Sequence, residues 1–234
     1  YFMGLVFITL VLVQFSFGWF TTYNWYISLI LLVLLLFPIS QSAIVVMNWL
    51  FTIALNPVSL PKMDYSTGIP DDKRTIVVIP TVLSGYADIS KLIESLEIRY
   101  LANRDKNLYF ALLTDLRNAP AAQMPDDAAL VSELAAGISD LNEKYHAENP
   151  ETFFLMHRSR SWNPSEGIFM GYERKRGILK AFTQLISGTG ENPFSCIVGN
   201  VALLADITYV ITLDTDTELP RNSARSLIGA MAHP

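Results

Sequence analysis

Asp214 and Asp216 are two carboxylates one residue apart, directly after the apolar run Tyr209-Val210-Ile211-Thr212-Leu213. At the tip of a buried strand, such a pair can converge on one hard divalent cation or divide between a metal and a ribose. Mg²⁺ or Mn²⁺ suits it, because these ions take a few carboxylates and complete their shell with phosphate oxygens and water. An Asp-x-Asp triplet alone is common. Its place after a strand, with Pro220 and a helical segment beyond, gives it weight, and a solvated loop carrying two acidic residues is the plain alternative.

Asp115 closes the run Leu112-Leu113-Thr114 in the same way, and Thr81 follows a third apolar run that meets Pro80. Asp115 could accept hydrogen bonds from a base or a ribose, or it could cap the turn that follows. From Trp162 to Gly177 the chain mixes aromatics, glycines and charge, with Arg158, Arg160, Arg174, Lys175 and Arg176 crowded around it. Cations beside a helix start suit a diphosphate, whose charge the helix amides also favour. An exposed loop with a salt-bridged helix face fits the same residues. Cys196 is the single cysteine, which excludes an intrachain disulfide, and its apolar neighbours Phe194, Ile197 and Val198 suit a buried, inert thiol. The three histidines lack the paired spacing of a zinc site.

The elements that must position these residues alternate. Thr75–Ile79 is a continuously apolar, β-branched run, as a buried parallel strand reads. A helical pattern follows from Tyr86 to Ala102, then a strand at Leu108–Leu113, a helix from Asp126 to His146 and a strand at Thr152–His157. Arg174–Ser187 reads as a helix, Phe194–Val198 as a weaker strand, Tyr209–Leu213 as a strong one, and Arg221–Ala232 starts a further helix. This alternation predicts an α/β fold with an open, mostly parallel, Rossmann-type sheet, whose ligands bind at the carboxyl ends of the strands.

Ahead of that domain the chain changes character. No Asp, Glu, Lys or Arg occurs before Lys62, so the net charge of -5 belongs wholly to the later residues. A surface without charge over that length is not a water-soluble one. Phe2 to Phe20 is long enough to cross a bilayer, and a second apolar run covers Ile27 to Phe37. Trp19, Phe20, Tyr23, Trp25 and Tyr26 cluster about the turn between them, as aromatics do at a membrane interface. Pro38 is expected to kink or end the second helix, with an amphipathic helix along the interface from about Ile39 to Leu55 as the favoured continuation and a third span as the other. Residues 1–55 are thus expected to be transmembrane or interfacial helices, 56–74 a proline-punctuated linker, and 75–234 the front part of the α/β domain. Lys62, Lys73 and Arg74 place that domain on the cytoplasmic side. The acidic balance gives no reason to expect nucleic acid. Opening on Tyr1 and closing soon after Asp216, the chain reads as a fragment of a longer protein.

Together these residues resemble the family-2-type glycosyltransferase domain of bacterial cyclic β-1,2-glucan synthases. The matching stretches are NWL from Asn48, LPKMD from Leu60, RTIVVIPT from Arg74, IRYLANRDKNLYFALLTD from Ile98, WNPSEGIFMGYERKRG from Trp162 and YVITLDTDTELPR from Tyr209. Phe169 and Tyr172 depart from the pattern, which has Trp there. The resemblance implies a GT-A-like domain in the bacterial inner membrane, using UDP-glucose and a divalent metal to extend a growing β-1,2-glucan acceptor with inversion. It implies that Thr81 and Asp115 line the uridine site, that Lys175 lies near the diphosphate, and that Asp214 and Asp216 bind donor and metal. The general base is expected beyond Pro234, as are the cyclising and phosphorylase-like domains, so residues 1–234 alone are expected to be inactive. A cellulose- or hyaluronan-like synthase is the runner-up. A haloacid-dehalogenase-type phosphatase, which would want Thr or Val where Glu218 stands, and a non-catalytic membrane scaffold are the readings from other classes.

Overall fold

The computed structural model describes residues 2–17, 24–55, 60–149, 151–190 and 192–234. The chain forms two units, Tyr1–Leu60 and Pro61–Pro234.

The first unit is helical. α1 covers Phe2–Phe17 and α2 covers Trp25–Ala54. Gly4 sits so close to Met47 that a Cβ there would lie 2.8 Å from its terminal methyl. Pro38 neither ends α2 nor starts a separate interfacial helix, contrary to expectation; the helix runs through it for 30 residues. Its hydroxyls turn onto the helix's own backbone. Ser40 donates to the Phe37 carbonyl at 2.8 Å, Ser42 to Pro38 at 2.9 Å and Thr52 to Asn48 at 2.8 Å. Polar side chains can sit on an apolar helix when its own backbone satisfies them. Among the described residues, α2 alone is long and apolar enough to cross a bilayer, over Phe37–Ala54. The expected first span is helical over Phe2–Phe17, while Gly18, Trp19 and Phe20, with Tyr23 of the expected aromatic belt, lie outside the described residues.

The second unit is an α/β sandwich around a five-stranded sheet of order β6-β3-β2-β1-β7. β1 is Thr75–Leu83, β2 Leu108–Leu116, β3 Phe153–Arg158, β6 Phe194–Val198 and β7 Tyr209–Thr212. β1, β2, β3 and β7 run parallel, and β6 is antiparallel to β3. The mostly parallel, Rossmann-like sheet read from the sequence is therefore present. Alternate strand residues face opposite layers. Val77, Ile79, Phe110, Leu112, Phe153 and Leu155 pack under α3 (Tyr86–Ala102), α4 (Asp127–Lys144) and α6 (Ser223–Met231). Ile76, Val78, Tyr109, Ala111, Phe154 and Met156 pack under α5 (Arg174–Ile186). Between β3 and α5 lies a small hairpin, β4 (Ser161–Asn163) with β5 (Ile168–Met170), which the sequence reading missed.

Two expectations shift. β1 does not end at Pro80 but continues to Leu83. Val78 accepts from Leu213 N–H at 3.0 Å and Pro80 accepts from the Thr215 hydroxyl at 3.2 Å, so both face the β7 side. The ladder with β7 stops at Val78, and the missing proline N–H therefore deprives no partner. Nor is all of 56–74 a linker, since Pro61–Arg74 belongs to the second unit. Met63 N–H donates to Gly229 of α6 at 3.0 Å, and Ile69, 2% exposed, donates its N–H to Asp105 at 3.0 Å.

Candidate functional site

β1 is the point at which the strand order reverses. The chain leaves it toward β2 on one side and returns on its other side as β7. The carboxyl ends of β1 and β7 lie side by side there, where open α/β sheets bind their ligands, and the helices that follow them, α3 and α6, pack on one face. The loop leaving β7 carries the acidic residues there. Leu213 and Leu219 are buried at its ends, and Asp214, Thr215, Asp216, Thr217 and Glu218 between them are exposed. Thr217 N–H closes a turn onto the Asp214 carbonyl at 3.0 Å.

α5 brings Lys175 to this loop, and its ammonium donates to Asp214 Oδ1. Two residues 39 positions apart, singled out for opposite charge, thus meet at one place. The pair is open to water, with 47% of the Lys175 side chain and 61% of Asp214 exposed, so it is exchangeable rather than structural. The start of α5 is folded under tension. Glu173 and Arg174 both have positive φ, at 54° and 47°, and side chains adopt that region only when their surroundings impose it. Gly177 makes the approach possible, since a Cβ there would stand 2.0 Å from the Tyr172 carbonyl oxygen.

Asp115, at the end of β2, is differently placed. It is 4% exposed, and both its oxygens accept from Arg158 on β3, Oδ1 from Nε at 2.9 Å and Oδ2 from a terminal nitrogen at 2.8 Å. Gly171 lies against it; a Cβ at that position would be 2.2 Å from Oδ2. A cleft of about 210 Å³ opens beside the carboxylate, lined by Val82, Asp115, Leu116, Arg117, Asn118, Gly171 and Arg174. Val82 is the β1 residue on that cleft; Thr81, one position earlier, is half-buried and pairs in register with Thr114. The structure therefore unites Lys175 with Asp214, sets Asp216 on the same loop, and places Asp115 on the cleft while Thr81 stands back from it.

The crowd of cations expected around a diphosphate is thinner than its sequence suggests. Arg158 is spent on Asp115, and Arg160 is buried against Asp127, whose carboxyl its hydrogen bonds hold below the usual carboxylate range despite burial. Arg174, Lys175 and Arg176 remain exposed at the start of α5. His157 is 3% exposed; burial pushes its pKa down, against the opposing pull of Asp115 and Asp127, and its Nδ1 lies 3.0 Å from the Thr114 hydroxyl. Burial likewise raises the Cys196 thiol, as suits an inert one.

Sequence reasoning missed Arg99 of α3. It is 5% exposed and reaches under the acidic loop, donating to the Thr215 carbonyl at 2.9 Å and to Thr217 at 2.7 and 3.1 Å. Nearby, Asn103 donates to the Leu219 carbonyl at 3.0 Å and accepts from Ala224 N–H at 3.1 Å. A basic residue in an amphipathic helix reads as a solvated one, so nothing in the spacing flagged it.

Among the described residues, no three His, Cys, Asp or Glu side chains converge as a ready cage for a metal. Two exposed carboxylates on one loop, open toward a helix start, still fit Mg²⁺ or Mn²⁺, which need only one or two protein carboxylates when phosphate and water supply the rest.

No family model matches the chain. It is 35% identical over 207 residues to the cyclic beta-(1,2)-glucan synthase NdvB of Rhizobium meliloti (strain 1021), a match covering 88% of this chain. The chain spans 7% of the length of that curated relative.

Proposed function

Because the chain is homologous to a segment of a cyclic β-(1,2)-glucan synthase, we propose that its second unit is the donor-binding part of a glycosyltransferase. It moves glucose from UDP-glucose, with inversion, onto a growing β-1,2-glucan. The observation that carries this reading is the meeting of Lys175 and Asp214 at the strand-order switch, with Asp216 on the same loop.

In this reading the diphosphate lies at the start of α5, where Lys175 and free backbone amides meet its charge. Lys175 exchanges its carboxylate partner for a phosphate oxygen as the donor arrives. Asp214 and Asp216 are the residues that hold Mg²⁺ or Mn²⁺, which when bound offsets charge on the departing diphosphate. Asp115, fixed by Arg158, offers its remaining lone pairs to the uridine in the cleft, with Thr81 behind it. The base that takes the acceptor hydroxyl's proton comes from a carboxylate later in the full protein, as do the cyclising and phosphorylase-like domains. The helices of the first unit sit in the inner membrane, and the donor-binding unit faces the cytoplasm, where UDP-glucose is made.

The test is titration calorimetry on the full-length protein with UDP-glucose, with and without Mn²⁺. Metal-dependent binding is expected, and Asp216→Ala should abolish the metal dependence. A full-length protein that binds no UDP-glucose with or without Mn²⁺ sinks the proposal.

A further inference from the structure

The two carboxylates sit on a five-residue exposed loop, which on its own would sample many arrangements. Its backbone is nevertheless tied down. The Thr215 and Thr217 carbonyls bracket Asp216 and point inward to α3, where the Arg99 fork takes both at once. A second tie comes from β1, as the Thr215 hydroxyl donates to the Pro80 carbonyl. Arg99 is itself locked, being 5% exposed and donating to Ser95 one turn earlier.

Two consequences follow from the chemistry of that side chain. A guanidinium presents several donors in one rigid plane and can hold two carbonyls at a fixed separation, where an ammonium is a single point. It also leaves a buried positive charge under the loop backbone, and Glu218 is close enough to act on it electrostatically. A preorganised pair of ligands binds a divalent ion with less ordering to complete.

We propose that Arg99 is a positioning residue, which holds Asp214 and Asp216 in the arrangement a divalent cation requires without touching the cation itself. This rests on the proposed role of the two carboxylates as metal ligands. The reach of Arg99 explains why it emanates from a helix between β1 and β2 while acting on a loop more than 110 residues later.

The experiment uses the full-length protein with Arg99→Lys and Arg99→Met. Mn²⁺ binding is read directly from the free-ion paramagnetic resonance signal, and glucan synthesis is measured across a range of Mn²⁺. Losing the carbonyl contacts should weaken Mn²⁺ binding by roughly tenfold or more in Arg99→Met, and by a smaller factor in Arg99→Lys, which keeps the charge and one contact. Saturating Mn²⁺ should restore most of the turnover in both. Unchanged Mn²⁺ binding in both variants overturns the inference. So does a rate that saturating Mn²⁺ does not restore, or loss of the protease-resistant domain even in Arg99→Lys, since either would make Arg99 a general support of the fold. A wild-type protein that neither binds Mn²⁺ nor uses UDP-glucose overturns the metal reading, and this inference with it.

Discussion

Replacing Asp115 by Asn tests whether that residue is first a structural anion and only second a ligand for the donor. Its side chain is 6% exposed and that of Arg158 is 12%, so solvent screens the pair little. Both oxygens are taken by one guanidinium, at 2.9 and 2.8 Å, the bidentate geometry in which such pairs are strongest. An amide keeps the shape but leaves the Arg158 charge without a counter-ion in a buried place, which costs about 3 kcal/mol, or roughly a hundredfold in the folding equilibrium. Arg158→Met should cost a similar amount for the converse reason. Pairing Asp115→Asn with Arg158→Met removes both charges, and the double variant should be more stable than the summed singles by about 2 kcal/mol. Pulse proteolysis of the full-length protein in urea gives these differences. Additive single losses, or an Asp115→Asn cost under about 1 kcal/mol, would refute the argument. The neighbouring Gly171→Ala should mimic Asp115→Asn, because its Cβ would stand 2.2 Å from Oδ2 and push the carboxylate off Arg158.

Two further outcomes follow from other parts of the site. Lys175→Gln should act with opposite signs, tightening Mn²⁺ binding by a few-fold in the absence of donor while weakening UDP-glucose binding; the exposed pair it removes is worth up to about 1 kcal/mol. Both effects are read by titration, and a loss of Mn²⁺ affinity would contradict the exchange of partners. His157 has a pKa held below its ordinary 6.5 by burial, so on acidification the unfolded chain takes up a proton before the folded one does. Its contribution to stability is present above pH 6.5 and lost as pH falls from there through the depressed folded value; urea midpoints of His157→Gln should be flatter than wild type in that window.

Much of the sheet was legible because its strands are short runs of Ile, Val, Leu and Phe with no competing helical period. Leu108–Leu113 and Tyr209–Leu213 are of this kind, and both lie where their patterning put them. Pro80 misled because a proline in a central strand is harmful only if its missing donor faces a neighbour, and the direction of one N–H is not written in composition. The β4–β5 hairpin went unseen since its three-residue strands carry no period. The site divided along similar lines. Asp214 and Lys175 were marked by their places at element ends, and the fold brought them together. Arg158, Arg160 and Arg99 could not be apportioned from sequence, because a buried charge is defined by a partner that only the folded chain supplies.

The placing of β7 beside β1 also sets an order in time. β2 and β3 join the sheet through single helices, whereas Thr75 meets Tyr209 across more than 130 residues. Distant pairings form late, since loop closure must precede the contacts that reward it. At ribosomal speeds of about 5–20 residues per second, one flank of β1 waits unpaired for roughly 7 to 27 s. The acidic loop and the grip of Arg99 on it take their places only when that wait ends. Pro80 stands on that flank just past the residues that pair, and with no N–H to offer it limits how far a stray strand could extend along β1.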